Sequence, residues 1–128
     1  LVRAALEKSI PVVPIPGASA FIAALVVSGL PTDSFVFEGF LPQKKGRKTK
    51  LESLRNEPRT IILYESPHRI VKTLTDISTY LGNRNVVVAR ELTKKFEEVV
   101  RGPVQDVLKA ISSKPPKGEY VVVVEGAE

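Results

Sequence analysis

The sequence contains no cysteine. That excludes a disulfide framework, a zinc finger, an iron–sulfur centre and a cysteine nucleophile. It has a single histidine, His68, which excludes any site needing two imidazoles. Methionine is also absent, even at position 1. A genomic product starts with Met, so the chain is expected to be a processed product or, better, a fragment of a longer protein. No long apolar run survives inspection. Ser9–Thr32 carries no charge, but Pro11, Pro14, Pro16 and Pro31 interrupt it. The proline-free piece Gly17–Leu30 falls short of the ~20 residues of a membrane span. The mixed signs of Arg3, Glu7 and Lys8 do not suit a signal peptide. No internal repeat or low-complexity tract is visible, and the expected location is cytoplasmic.

What is present is ordinary for a globular protein. The 128 residues amount to one domain, 43% hydrophobic and 26% charged, which sets aside a disordered tail. The formal net charge is +5, and it is local. Pro42–Arg59 holds seven basic residues (Lys44, Lys45, Arg47, Lys48, Lys50, Arg55 and Arg59) against Glu52 and Glu57, so this stretch carries the whole excess. A neutral body with one basic projection suits a polyanionic partner reached at one place, or else a solvated loop.

Periodicity predicts an α/β protein with a mixed sheet flanked by helices. Leu1–Lys8 reads as the end of a helix and Val12–Val13 as a short strand. Gly17 allows a tight turn, and Ser19 caps a helix to about Ser28 whose broad apolar surface predicts burial on more than one side. From Phe35 the order is β-α-β-α-β-β-α-β. The strands are Phe35–Phe40, Arg59–Glu65, Asn85–Arg90, Phe96–Arg101 (an edge strand or hairpin arm) and Glu119–Glu125. The helices are Arg47–Asn56, a long one opened by Ser66-Pro67 and closed by Gly82-Asn83, and Pro103–Ser112. Leu1–Pro16 reads as the tail of a preceding domain, and 17–128 as the domain proper.

No Walker loop, complete dinucleotide fingerprint or trustworthy Ser-His-Asp spacing is present. Glu97 and Glu98 are adjacent on an expected strand and so point to opposite faces, which argues against a paired-carboxylate site. Four segments remain. Pro14–Ala20 is a strand–loop–helix junction whose free N–H groups suit a polar ligand, or simply a turn and a cap. Phe37–Pro42 leads into Lys44, Lys45, Arg47 and Lys48, which suit a phosphate backbone. Phe40 there stacks on a base or anchors the loop root. Tyr64–Arg69 lies at the carboxyl end of a central strand, where open α/β sheets gather ligands. Glu65 and His68 are its candidates for handling a proton. Ala89–Phe96 adds Arg90, Lys94 and Lys95 at the same edge.

Together these segments resemble the ribosomal RNA small subunit methyltransferase I family, within the tetrapyrrole-methylase superfamily. The matching stretches are VVPIPGASA (12–20), GLPTDSFVFEGFLPQKKG (29–46), RTIILYESPHRI (59–70), VVVARELTKKFEEVVRG (86–102) and GEYVVVVEG (118–126). PIPG followed by a small residue and Ser is shared across much of the superfamily, whereas FEGFLP, YESPHR and ARELTKKFEE point to the ribosomal branch. The resemblance implies the C-terminal half of an S-adenosylmethionine-dependent enzyme that methylates the ribose 2′-hydroxyl of a cytidine in small-subunit rRNA. It also implies a two-domain, homodimeric protein with its cofactor in the interdomain cleft and no membrane partner. Carried over by position, the cofactor contacts fall at Gly17, Ser19, Ala20, Tyr64, Gly118 and Glu119. RNA contacts fall at Lys44, Lys45, Arg47, Lys48, Arg69 and Arg90, with Glu65 and His68 left as candidate bases. No metal is implied. The alternatives are a non-catalytic RNA- or ribosome-binding module, and a superfamily methylase acting on a tetrapyrrole or a protein, the tetrapyrrole being disfavoured by the basic loop.

Overall fold

The computed structural model describes residues 1–128. Five strands form one mixed sheet in the order β1-β2-β5-β3-β4. They are β1 (Phe35–Phe40), β2 (Thr60–Glu65), β3 (Asn85–Arg90), β4 (Glu98–Pro103) and β5 (Tyr120–Val124). β1 runs parallel to β2, and the other three pairings are antiparallel. The element order from β1 onward is the one periodicity predicts.

The three central strands explain their own sequences. β2, β5 and β3 are covered on both faces, so they read as continuous apolar runs rather than alternating ones. One face carries Ile61, Leu63, Val86, Val88, Val122 and Val124. Against it pack α3 (Arg47–Ser53), α4 (Ile70–Tyr80) and α5 (Val104–Ser112), through residues such as Leu51, Leu74, Ile77 and Val107. The opposite face carries Ile62, Val87, Ala89, Val121 and Val123, and only α2 (Ala20–Ser28) covers it, with Ala24 and Leu25.

That asymmetry corrects two expectations. α2 is apolar all round but buried on one side only, and Ile22, Val26 and Val27 remain exposed because no further layer lies outside it. The strand expected at Val12–Val13 is absent: residues 8–19 have no regular structure apart from a turn at 8–9, and both valines are exposed. Pro11, Pro14 and Pro16 remove three N–H donors there, and no strand edge lies beside the segment. α1 (Val2–Glu7) precedes it and buries no residue.

Smaller differences have local causes. α3 ends at Ser53 and passes into a turn through Asn56. α4 begins at Ile70, not at Ser66-Pro67. Ser66 serves through its carbonyl, which accepts from Arg69 N at 3.1 Å and Ile70 N at 3.0 Å, while its hydroxyl caps nothing. β4 is an edge strand, shifted two residues later than expected.

Candidate functional site

The carboxyl ends of β1, β2 and β3 meet the amino end of β5 at one edge of the sheet. The register sets this: Phe40 stands beside Tyr64, and Tyr120 opposite both Glu65 and Arg90. A cleft of about 560 Å³ opens there, on the side covered by α2. Its apolar floor comes from Ala89, Val121 and Leu92, and Ala20 enters from the start of α2.

The aromatic wall depends on a bulge. The β1–β2 register shifts between Phe37 and Gly39, and Gly39 takes the left-handed φ of +63° that such a kink asks of it. The extra residue turns Phe40 to the same face as Phe37. Phe37 meets Tyr64 edge-on at 5.1 Å between centroids, and Phe40 lies tilted over Tyr64 at 5.7 Å. Phe21 of α2 stacks on Phe37 at 4.4 Å, which ties the helix to this wall. Phe40 is nonetheless 60% exposed, which leaves a ring face open beside the loop root that the sequence has it anchor.

The polar rim is acidic on one side. Glu91 accepts from Glu119 N at 3.1 Å and from Lys94 Nζ at 3.3 Å, and Glu91 N donates back to Glu119 O at 3.3 Å. The Glu119 N–H, aided by Lys94, holds the Glu91 carboxyl below its ordinary pKa, so it is charged at neutral pH. Gly118 sits tightly against this pair. Its φ is +80°, and a Cβ there would come within 2.6 Å of Glu91 Oε1.

Glu65 is one of the residues that line the cleft, although it is only 2% exposed. Its Oε1 accepts from Ser66 N at 2.7 Å and Arg69 Nε at 2.9 Å, and its Oε2 accepts from Thr73 Oγ1 at 2.7 Å. Both oxygens are engaged, so the candidate base becomes the group that fixes the β2–α4 turn. His68 is exposed on that turn and does not line the cleft. The expected residues Ala20, Tyr64 and Glu119 do line it, whereas Gly17, Ser19 and Gly118 do not. Ser19 occupies the N-cap position of α2 without a side-chain cap bond. The tight turn expected at Gly17 is missing: its φ is not positive, and a Cβ would meet nothing within 4 Å.

The basic residues divide into two groups. Lys44, Lys45 and Lys48 are exposed on the loop after Phe40 and at the start of α3. Arg47 is buried among them, 5% exposed, and is corrected from RNA contact to structural anchor. Its Nε pairs with Asp76 at 2.7 Å, its Nη2 donates to Thr73 Oγ1 at 2.8 Å, and its Nη1 to Pro42 O at 3.1 Å. Arg69 is held by Glu65, and Arg90 by Glu98 at 3.1 Å, so both are turned toward protein. Glu91 and Leu92 line the cleft although nothing in their own residue types marks them. Their one signal is their place directly after a central strand.

The S-adenosylmethionine implied by the sequence resemblance can be tested against these groups. Flat aromatic faces, an apolar floor and the Glu91 carboxylate at the rim fit a planar base joined to a cationic centre. Phe40, Tyr64, Glu91 and Glu119 are the residues that would hold it. No group of His, Asp and Glu side chains is placed to hold a metal ion. No helix is long and apolar enough to cross a membrane.

Comparison with known proteins agrees with this architecture. The chain is 54% identical over 129 residues to the ribosomal RNA small subunit methyltransferase I of Synechocystis sp., covering 99% of this chain and 46% of that protein. It is 44% identical over 128 residues to the Thermotoga maritima protein of the same name, covering all of this chain and 58% of that one. It thus spans about half the length of the curated relatives it matches. Among solved structures, a cobalt precorrin-4 methyltransferase superposes with a TM-score of 0.68 at 17% identity, over 97% of this chain and 56% of the other. Uroporphyrin-III C-methyltransferase from Thermus thermophilus, complexed with S-adenosylhomocysteine, gives 0.58 at 18% identity, over 95% and 56%. At such identities the likeness is one of fold. The profile of the tetrapyrrole (corrin/porphyrin) methylases matches residues 1–108, and the chain belongs to that family.

Proposed function

We propose that this chain is the C-terminal part of a methyltransferase that moves the methyl group of S-adenosylmethionine to the ribose 2′-hydroxyl of a cytidine in small-subunit rRNA. The observation that carries the reading is the position of Phe40. It forms one wall of the cleft and immediately precedes the loop with Lys44 and Lys45, so a cofactor-sized hollow opens beside a basic projection. The names of the relatives supply the substrate class.

When bound, S-adenosylmethionine supplies a methyl group already activated by its positive sulfur. The work left to this chain is binding and alignment. Phe40 and Tyr64 present faces for the flat base, Glu91 and Glu119 offer carboxylates to the cationic portion, and Lys44, Lys45 and Lys48 draw the phosphate backbone to the opening. The 2′-hydroxyl proton must leave as the new bond forms; Glu65 lines the cleft with both oxygens already hydrogen-bonded, and His68 stands outside it. Solvent or a group outside this cleft is its destination. The reading includes a homodimeric enzyme, which sedimentation velocity on the full-length protein would check.

Titration calorimetry of the full-length protein with S-adenosylhomocysteine tests the assignment. Binding by wild type, weakened tenfold or more by Tyr64→Ala with the fold intact, is expected. Equal affinity in the two would place the cofactor elsewhere.

A further inference from the structure

A second hollow, of about 840 Å³, lies beyond Tyr120, which lines both. It is bounded by residues 95–98, which lead into β4, and by the loop at 113–117. Lys95, Lys114 and Lys117 are exposed around it, and none of them takes part in an ion pair. Of the two acidic side chains in its lining, one is paired with a cation and the other is bonded only to a backbone N–H. Glu98 pairs with Arg90 at 3.1 Å, and Glu97 accepts from Thr93 N at 2.5 Å. Three unpaired lysines thus stand against one carboxylate without a cationic partner, Glu97, and the surface keeps a positive excess.

Phe96 sits among these lysines, 65% exposed, with Lys95 Nζ 5.6 Å from its ring centroid. A lone exposed phenylalanine needs no explanation. One set among unpaired lysines combines the two parts of a single-stranded nucleic acid site, a face for stacking and charges for the backbone. The same pairing recurs on the other side of the cleft, where exposed Phe40 precedes Lys44 and Lys45.

We propose that Phe96, Lys95, Lys114 and Lys117 form a second contact for single-stranded RNA, so that the strand crosses the cleft from the 41–46 loop to the 113–117 loop. This rests on the rRNA reading above. An unpaired base stacks on Phe96, and the lysines take the flanking phosphates. The two hollows meet at Tyr120, and stacking favours an unpaired strand, because a base inside a duplex has no free face for Phe96.

The test uses the full-length protein with a fluorescein-labelled single-stranded oligoribonucleotide, titrated at several salt concentrations. Phe96→Ala is expected to weaken binding about tenfold, with affinity restored by Phe96→Tyr. Changing Lys95, Lys114 and Lys117 together to Gln should lower the log–log salt slope by about 2. S-adenosylhomocysteine affinity, measured on the same preparations, should be unchanged. RNA affinity and slope insensitive to both variants would overturn this site alone. Loss of binding to whole small ribosomal subunits with naked-RNA affinity intact would overturn it too, assigning the patch to a protein partner. Failure of the methyl-transfer reading would show instead in the cofactor arm, as wild-type protein that binds no S-adenosylhomocysteine.

Discussion

Thr73 Oγ1 donates a hydrogen bond at 2.7 Å to Oε2 of Glu65, which lines the cleft. The same hydroxyl accepts from Arg47 Nη2 at 2.8 Å. One side chain of α4 thus joins the carboxylate at the end of β2 to the guanidinium that opens α3, and both partners are buried. Hydrogen bonds to charged groups contribute about 1.5–3 kcal/mol each. Thr73→Val keeps the shape and removes the hydroxyl, so it is expected to cost about 2–3 kcal/mol in urea unfolding. Thr73→Ser should cost clearly less. A Thr73→Val loss no larger than that expected at a surface site would mean that the network does not matter.

Arg47 and Lys48 are neighbours in one basic run, yet they should behave oppositely. Breaking a buried ion pair costs about 3–5 kcal/mol when the partner charge is stranded. Asp76 keeps a second cation, Lys72 at 3.0 Å, so Arg47→Met is expected at about 2–4 kcal/mol. Lys48→Met, at an exposed site, should stay within about 0.5 kcal/mol. Denaturant midpoints of the two variants check this directly.

RNA binding should reverse that order. Lys44, Lys45 and Lys48 changed together to Gln should lower the log–log salt slope of the full-length protein by about 2 and leave its unfolding midpoint in place. An unchanged slope would reduce the loop to a solvated surface.

Glu91 latches the 118–119 turn to the end of β3 on one side of the cleft rim. A side chain at Gly118 must accept a left-handed backbone, costing about 1–2 kcal/mol, and also drive the Glu91 carboxylate off the Glu119 N–H. Gly118→Ala should therefore destabilise the fold and weaken cofactor binding. In a Glu91→Ala background the same change should cost less, because only the backbone strain is left. Additive effects in the double-mutant cycle would show that the two positions do not interact.

The latch should also respond to acid. Its Glu119 N–H holds the Glu91 carboxyl below the ordinary value. A depressed folded pKa adds stability above the unfolded carboxylate range and loses it as pH falls through the lowered value. Wild type should thus lose more stability than Glu91→Gln on going from about pH 6 to about pH 3. Parallel curves for the two proteins would contradict the assignment.

The sheet was largely legible because its central strands have no solvent face. Runs such as Val86-Val87-Val88 and Val121–Val124 have no other economical reading than buried strands. The cleft was less so. The bulge at Glu38-Gly39 slips the alternation by one residue, and only the register with β2 shows Phe40 joining Tyr64. Arg47 reads as one more solvated charge until Asp76, 29 positions away, is folded against it. Val12-Val13 has the composition of a strand, but a strand is a pairing, and no edge stands beside it. Glu65 carries the residue type of a base, but its hydrogen bonds to Ser66, Arg69 and Thr73 appear only in the folded chain.

The most direct test of the account is ribose methylation of small-subunit rRNA, mapped by mass spectrometry from cells with and without the gene that encodes this protein, and with the gene restored. The account predicts one cytidine whose 2′-O-methyl group disappears on deletion, returns with wild-type protein, and fails to return with a Tyr64→Ala form that is folded but binds no cofactor. Identical ribose methylation in the presence and absence of the gene would contradict it.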